Sequence, residues 1–217
     1  MKKSLYSLML ADDVVNEIDK LAYAAGTNRS NMINQILAEH VSYITPERRV
    51  RSMIDKIADI LPVDTFKIMD SRSDFFFSAC SPLSFKYNPT VKYTLAVFKT
   101  PSEKVGELRV SVRSSSQSLM DCFKGFFTSW QSAEFRHGGD VFWHEGQFKF
   151  SKELIYRDDS YQNNSGAGDD IASYIAYLDK AMKNYFACLS PYSAKAARQA
   201  SDSVFEEYAN TSGTKFR

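Results

Sequence analysis

The sequence predicts an α+β chain in three parts: a strand with two short helices, a small β-rich middle domain, and a helical hairpin at the carboxyl end. Three observations predict it. Residues 4–10 alternate so as to give a strand one buried, apolar face, and the spacing then switches to a helical period up to Val41. Aromatic and β-branched runs dominate from Asp74 to Phe150, bounded by turn residues. Beyond a stretch rich in Gly, Ser and Asn, helical spacing returns at Asp169.

Composition bounds what such a chain can do. With 217 residues and 44% hydrophobic content it exceeds one minimal binding module, so a second core must follow the first. The 27 basic and 26 acidic residues leave a net charge of +1, which excludes a global basic field. Any affinity for phosphates must therefore come from local patches. Cys80, Cys122 and Cys188 are odd in number and far apart, which reads as reduced thiols rather than a disulfide framework or zinc site. The basic start, Met1-Lys2-Lys3-Ser4, leads into an apolar stretch broken by Asp12 and Asp13, without a small-residue cleavage site. No run approaches the ~20 apolar residues of a membrane helix. A cytoplasmic protein with no membrane partner is the expectation.

The first part spans residues 1–44. Along the strand, Tyr6, Leu8 and Leu10 share one face and Leu5, Ser7 and Met9 the other, with Lys3 just ahead. Asp12 and Asp13 open a helix, where carboxylates meet free amides and the positive dipole end. Val14, Val15, Ile18, Leu21, Ala22 and Ala25 form its stripe, and Gly26 ends it. Asn28 is placed to cap a second helix with apolar face Met32, Ile33, Ile36, Leu37 and Val41. One strand and two short helices cannot bury these faces alone. Two copies can, if their strands pair antiparallel, which makes Tyr6, Leu8, Leu10, Ile33 and Leu37 the expected dimerisation residues.

Residues 4–42, with Leu8-Met9-Leu10-Ala11-Asp12-Asp13-Val14-Val15 and Gly26-Thr27-Asn28-Arg29-Ser30-Asn31-Met32-Ile33, resemble the ribbon-helix-helix family of CopG and Arc-type repressors. The resemblance implies that the paired strands enter a major groove. It also implies that the amino end of the second helix, at Arg29 and Ser30, sits against a phosphate. The strand face that would read bases carries Leu5, Ser7 and Met9. Only Ser7 can exchange a hydrogen bond there, while Leu5 and Met9 suit thymine methyls or another protein surface.

A connecting helix is expected over 45–63, with Thr45 as cap, Pro46 at the first position, and Met53, Ile54, Ile57, Ile60 and Leu61 as its stripe. Arg48, Arg49 and Arg51 make a local basic patch in its first turns. The middle domain, 64–158, is expected as an α+β unit or a partly closed barrel. Phe75-Phe76-Phe77, Leu83–Tyr87, Val91–Thr100 and Glu107–Arg113 read as strands, Ser115–Glu134 as a helix, and Val141 to Phe150 as a hairpin. Cations interleave with rings here: Phe85-Lys86-Tyr87, Lys92-Tyr93, Phe98-Lys99, Arg109, Arg113 and Phe148-Lys149-Phe150. That pattern suits a single-stranded nucleic acid, through stacking and phosphate neutralisation. Strand alternation with rings inward and charges outward produces it too.

In modular order the chain resembles the WYL-domain accessory proteins of type VI-D CRISPR systems, which carry an amino-terminal ribbon-helix-helix and an Sm-like barrel. No Trp-Tyr-Leu tripeptide is present, and Phe142-Trp143-His144 is the nearest relic. This resemblance implies single-stranded RNA binding and a CRISPR ribonucleoprotein effector as partner.

Asp158–Gly168 reads as a linker, and residues 169–211 as a helical region whose first stripe is Ile171, Tyr174, Ile175, Leu178, Met182 and Tyr185. Ser190-Pro191 starts its second helix, and the end, Ser212–Arg217, reads as frayed. His40, His137 and His144 stand alone, and no phosphate loop, zinc motif or nucleophile turn is present. The sequence thus points to a binding protein that is not an enzyme and needs no cofactor or metal. Its expected partners are a second copy of itself and a nucleic acid, duplex DNA or single-stranded RNA.

Overall fold

The computed structural model describes residues 5–70, 74–99, 102–139, 142–144, 149–156, 166–189, 193–210 and 216. The chain divides into two compact units, Met1–Arg49 and Val50–Arg217.

In the first unit, α1 (Asp12–Ala24) carries Asp12 and Asp13 in its first turn. It ends as the sequence indicates, with Gly26 at φ +61° and the Thr27 amide reaching back to the Ala22 carbonyl at 2.9 Å. In α2 (Arg29–His40) the Asn28 side chain accepts from the Asn31 amide at 2.9 Å, the expected cap. Ile18, Ala22 and Met32 form a small cluster, with Ile33 packed against it. Residues 5–10 make no strand pairing and are exposed. The alternation expected of a strand is there, but strands exist only as partners, and one chain supplies none.

Helix α3 (Pro46–Ile60) starts where Thr45 Oγ1 accepts from the Arg48 amide at 3.2 Å. Its Val50, Met53 and Ile57 belong to the core of the second unit.

The second unit is a six-stranded antiparallel sheet with helices. The strands are β1 (Lys67–Met69), β2 (Phe76–Pro82), β3 (Thr90–Val97), β4 (Lys104–Val112), β5 (Phe142–His144) and β6 (Lys149–Ile155). Their order, β1-β2-β3-β4-β6-β5, does not close on itself. The α+β expectation therefore holds and the partly closed barrel does not. Helices α4 (Gln117–Arg136), α5 (Ala167–Cys188) and α6 (Ala194–Asn210) join one inward core with the sheet. Phe127 stacks on Phe150 with ring centres 5.1 Å apart, and Phe123 meets Phe186 at 4.6 Å. The carboxyl-terminal helices are thus part of the middle domain's own core.

Several boundaries differ from the sequence expectation. Leu83–Tyr87 is not a strand: the chain turns there, with Tyr87 and Asn88 at positive φ, while Leu83 and Phe85 anchor the turn in the core. Strand β1 was not expected, because three residues carry no alternation signal. Strand β6 runs past Phe150 to Ile155 across the polar Ser151-Lys152-Glu153. Of the end expected to fray, Phe216 is the described residue: it is buried and pairs with Tyr156, rings 4.9 Å apart, a contact that hiding an aromatic ring from water favours. Linker residues 158–165 and the Ser190-Pro191 start lie outside the described residues, while Ala167 and Gly168, read as linker, are the buried first residues of α5, where the following stripe carries the helix back into them.

Candidate nucleic-acid interface

Alternation decides which face of the sheet each cation takes. On β3, Val91, Tyr93, Leu95 and Val97 point inward, so Lys92 and Thr94 point outward. On β4, Val110 and Val112 are buried, and Arg109 and Ser111 take the other face. Register then aligns these positions across the sheet. Lys67 pairs with Cys80, Cys80 with Lys92, Lys92 with Ser111, and Ser111 with Lys149. Three lysines therefore occupy one cross-strand row on the outward face, two strand intervals apart, which is ~10 Å from one to the next. Among the described residues none of the three has a carboxylate partner.

The neighbouring row reads Met69, Ser78, Thr94, Arg109 and Ser151. Arg109 donates from Nε and a terminal nitrogen to the two oxygens of Glu107, each at 2.7 Å. That fork is the main reason its guanidinium is held charged even beyond its usual range, with the Glu107 charge adding to it. The carboxylates of the described strand residues on this face, Glu107 and Glu153, lie opposite each other one row further, and Glu153 pairs with Lys104 at 2.8 Å. The face is thus basic along one row and neutralised along another.

Among the described residues, the rings next to the row's lysines in sequence do not join them. Tyr93 and Phe150 are buried, as is Phe186, which packs on Phe85. Among the described strand side chains, Phe76 is the aromatic left on the outward face, in the row of Glu107 rather than that of the lysines. Of the other cations, Lys86 lies 5.2 Å from the centre of the exposed Tyr87 ring in the β2–β3 turn. Arg113 is exposed just past β4.

No family model, no curated protein and no solved structure matches this chain. The reading of the site rests on its residues.

On the first unit, Arg29 Nε donates to Asp19 on α1 at 2.7 Å and a second guanidinium nitrogen reaches the other carboxylate oxygen. That hydrogen-bonded pair holds the Asp19 carboxyl below its ordinary range. Arg29 is therefore tied to α1 and free to offer only its remaining donors, with Ser30 exposed beside it at the start of α2. Arg48 pairs with Glu39 at 3.3 Å, and Arg51 with Asp74 at 3.7 Å. Both of these arginines of α3 are exposed and each faces a carboxylate. Leu5, Ser7 and Met9 are exposed, as are Tyr6, Leu8, Leu10 and Leu37, whereas Ile33 is half-buried against the small cluster. Lys3 lies outside the described residues.

Sequence reading missed a buried polar centre. Lys152 sits on the inward face of β6, opposite Leu108, and its Nζ donates to Glu134 Oε2 at 2.8 Å with both side chains fully buried. Tyr208 donates to the same oxygen at 3.0 Å, and Tyr174 to Oε1. Trp130 Nε1 donates to the Tyr174 hydroxyl at 3.1 Å. Gly139 lets the chain pass over this centre, because a Cβ there would lie 2.3 Å from Glu134 Oε2. The three groups that donate to Glu134 come from β6, α5 and α6, so the centre ties these elements to α4. Parity alone, Phe150 and Leu154 inward, would have found Lys152. A second buried bond, from the Tyr93 hydroxyl to Asp179 at 2.9 Å, joins β3 to α5. Burial, then the neighbouring carboxylate, pushes the Tyr93 and Tyr174 hydroxyls well above the usual tyrosine range.

Proposed function

We propose that the protein is a homodimeric nucleic-acid-binding regulator of the ribbon-helix-helix kind, acting by binding rather than by catalysis. The carrying observation is the apolar surface of the amino-terminal unit. Leu5 and Met9 are 97% and 102% exposed, and Tyr6, Leu8, Val14, Leu21, Leu37 and Val41 are open as well. A unit of 49 residues with so small a cluster inside has its stabilising surface on the outside, which suits pairing with a second copy. Pairing of two 5–10 segments would give each its missing strand partner. The amino end of α2, with Ser30 exposed, then supports phosphate docking.

Duplex DNA binding over a salt series tests this reading, comparing wild type with Arg29→Ala and Ser30→Glu. The glutamate suits the positive end of the helix but repels a phosphate, so it separates binding from stability. A loss of ~10-fold or more with a shallower salt slope is expected for both variants. Equal affinity and slope in all three proteins would reject phosphate docking at α2. A preference of the wild type for single-stranded RNA above ~10-fold, about 1.4 kcal/mol, would instead select the accessory-protein reading, in which the first unit serves dimerisation.

A further inference from the structure

We infer that the outward face of the sheet is a second nucleic-acid contact surface, one that holds the phosphate backbone of a duplex without reading its bases. It lies in the second unit, and it stands whether or not α2 docks a phosphate. The row Lys67, Lys92 and Lys149 has no acid counter-ions among the described residues, while the carboxylates on the same face are matched to Arg109 and Lys104. Between the lysines stand Cys80 and Ser111, and beside them Ser78 and Thr94, small side chains that leave the ammonium groups the most prominent features of the row.

Charge complementarity selects a polyanion, and the inward placing of the described neighbouring rings selects which one. Single strands are held by stacking their bases on aromatic platforms between the cations. Here Tyr93 and Phe150, the rings adjacent to two of the lysines in sequence, are buried in the core. A row of lysines separated by small side chains, with no ring among its described members, instead matches phosphate contacts, which position a duplex and carry no sequence information. The spacing agrees. Lysines ~10 Å apart, on flexible stems, can reach phosphate rows on either side of a groove ~12 Å wide.

The test uses the full chain and a mixed-sequence DNA duplex, with binding followed by fluorescence anisotropy from low to moderate salt. Lys67→Gln, Lys92→Gln and Lys149→Gln are combined in one variant, whose fold is checked by circular dichroism. Each phosphate contact contributes about 0.9 to the slope of log affinity against log salt, so the variant should lose roughly 2 to 3 from that slope and more than ~10-fold in affinity near 0.1 M salt. Cys80, inside the row, reports position: the duplex should slow its alkylation and leave the exposed Cys188 on α5 unchanged. Unchanged slope and affinity would overturn the inference, as would unprotected Cys80 or no duplex binding at low salt. Tighter binding of a single strand than of the duplex by more than ~10-fold would overturn it too. Failure here with a positive Ser30→Glu result leaves the amino-terminal reading standing, and the converse leaves this one.

Discussion

The two units solve the same problem in opposite ways. The carboxyl-terminal unit hides Trp130, Phe123, Phe126, Phe127, Phe150 and Phe186 entirely, and it closes its buried charges against one another. Little of the amino-terminal unit's apolar side-chain surface is hidden: its cluster is Ile18, Ala22 and Met32, while residues 5–10 stand in solvent. Amphipathic periodicity is equally clear in both. What differs is whether the chain itself contains the second surface that each stripe must cover. On the dimer proposed above, the stripe without an internal partner is the surface a second copy would cover.

The sharpest way to break this comparison is at Glu134. Replacing it with Ala leaves Lys152 buried without a counter-charge, which costs about 3–5 kcal/mol. Chemical denaturation should show that loss in the second unit, while the helices of the first unit keep their own response. A common shift of both would mean that the units do not unfold separately. Next in size is Leu8→Asp, which sets a carboxylate on the expected dimer face. Dimer dissociation should become at least ~100-fold easier, about 2.7 kcal/mol, with the second unit's unfolding unmoved. Asn28→Ala removes the cap of α2 and should cost ~1 kcal/mol, felt only by the first unit. Titration of the buried tyrosines changes nothing at neutral pH. Because Tyr93 and Tyr174 ionise less readily folded than unfolded, their contribution is complete below pH 10 and falls away as pH rises above it. The part of the tyrosinate absorbance that Tyr93→Phe and Tyr174→Phe together remove should appear with unfolding of the second unit. Ionisation of these two hydroxyls in the folded state would contradict the geometry around Glu134 and Asp179.

The helices were largely legible in the sequence. Gly26, Asn28, Thr45 and the 3.6-residue stripes mark starts and stops through local chemistry, and local chemistry needs no tertiary information. Strands were legible where β-branched residues and rings alternate, as in β3 and β4. They were not where length or polarity hid the alternation: β1 is three residues long, and β6 carries a lysine inward that only the Glu134 carboxylate of a distant helix makes tolerable. The candidate site was half legible. Lys92, Arg109 and Lys149 stand out as cations in strands, but register aligned Lys67 with Lys92 and Lys149 and sent Tyr93 and Phe150 to the other face. Pairing across a sheet joins residues far apart in sequence, and no window along the chain reports it.

Sedimentation equilibrium on the 217-residue chain from nanomolar to micromolar concentration tests the central claim most directly. A concentration-dependent dimer is predicted, converted to monomer by Leu8→Asp with the second unit still folded. A folded wild-type monomer at every concentration would contradict it, since the exposed apolar residues of the first unit would then have no partner to cover them.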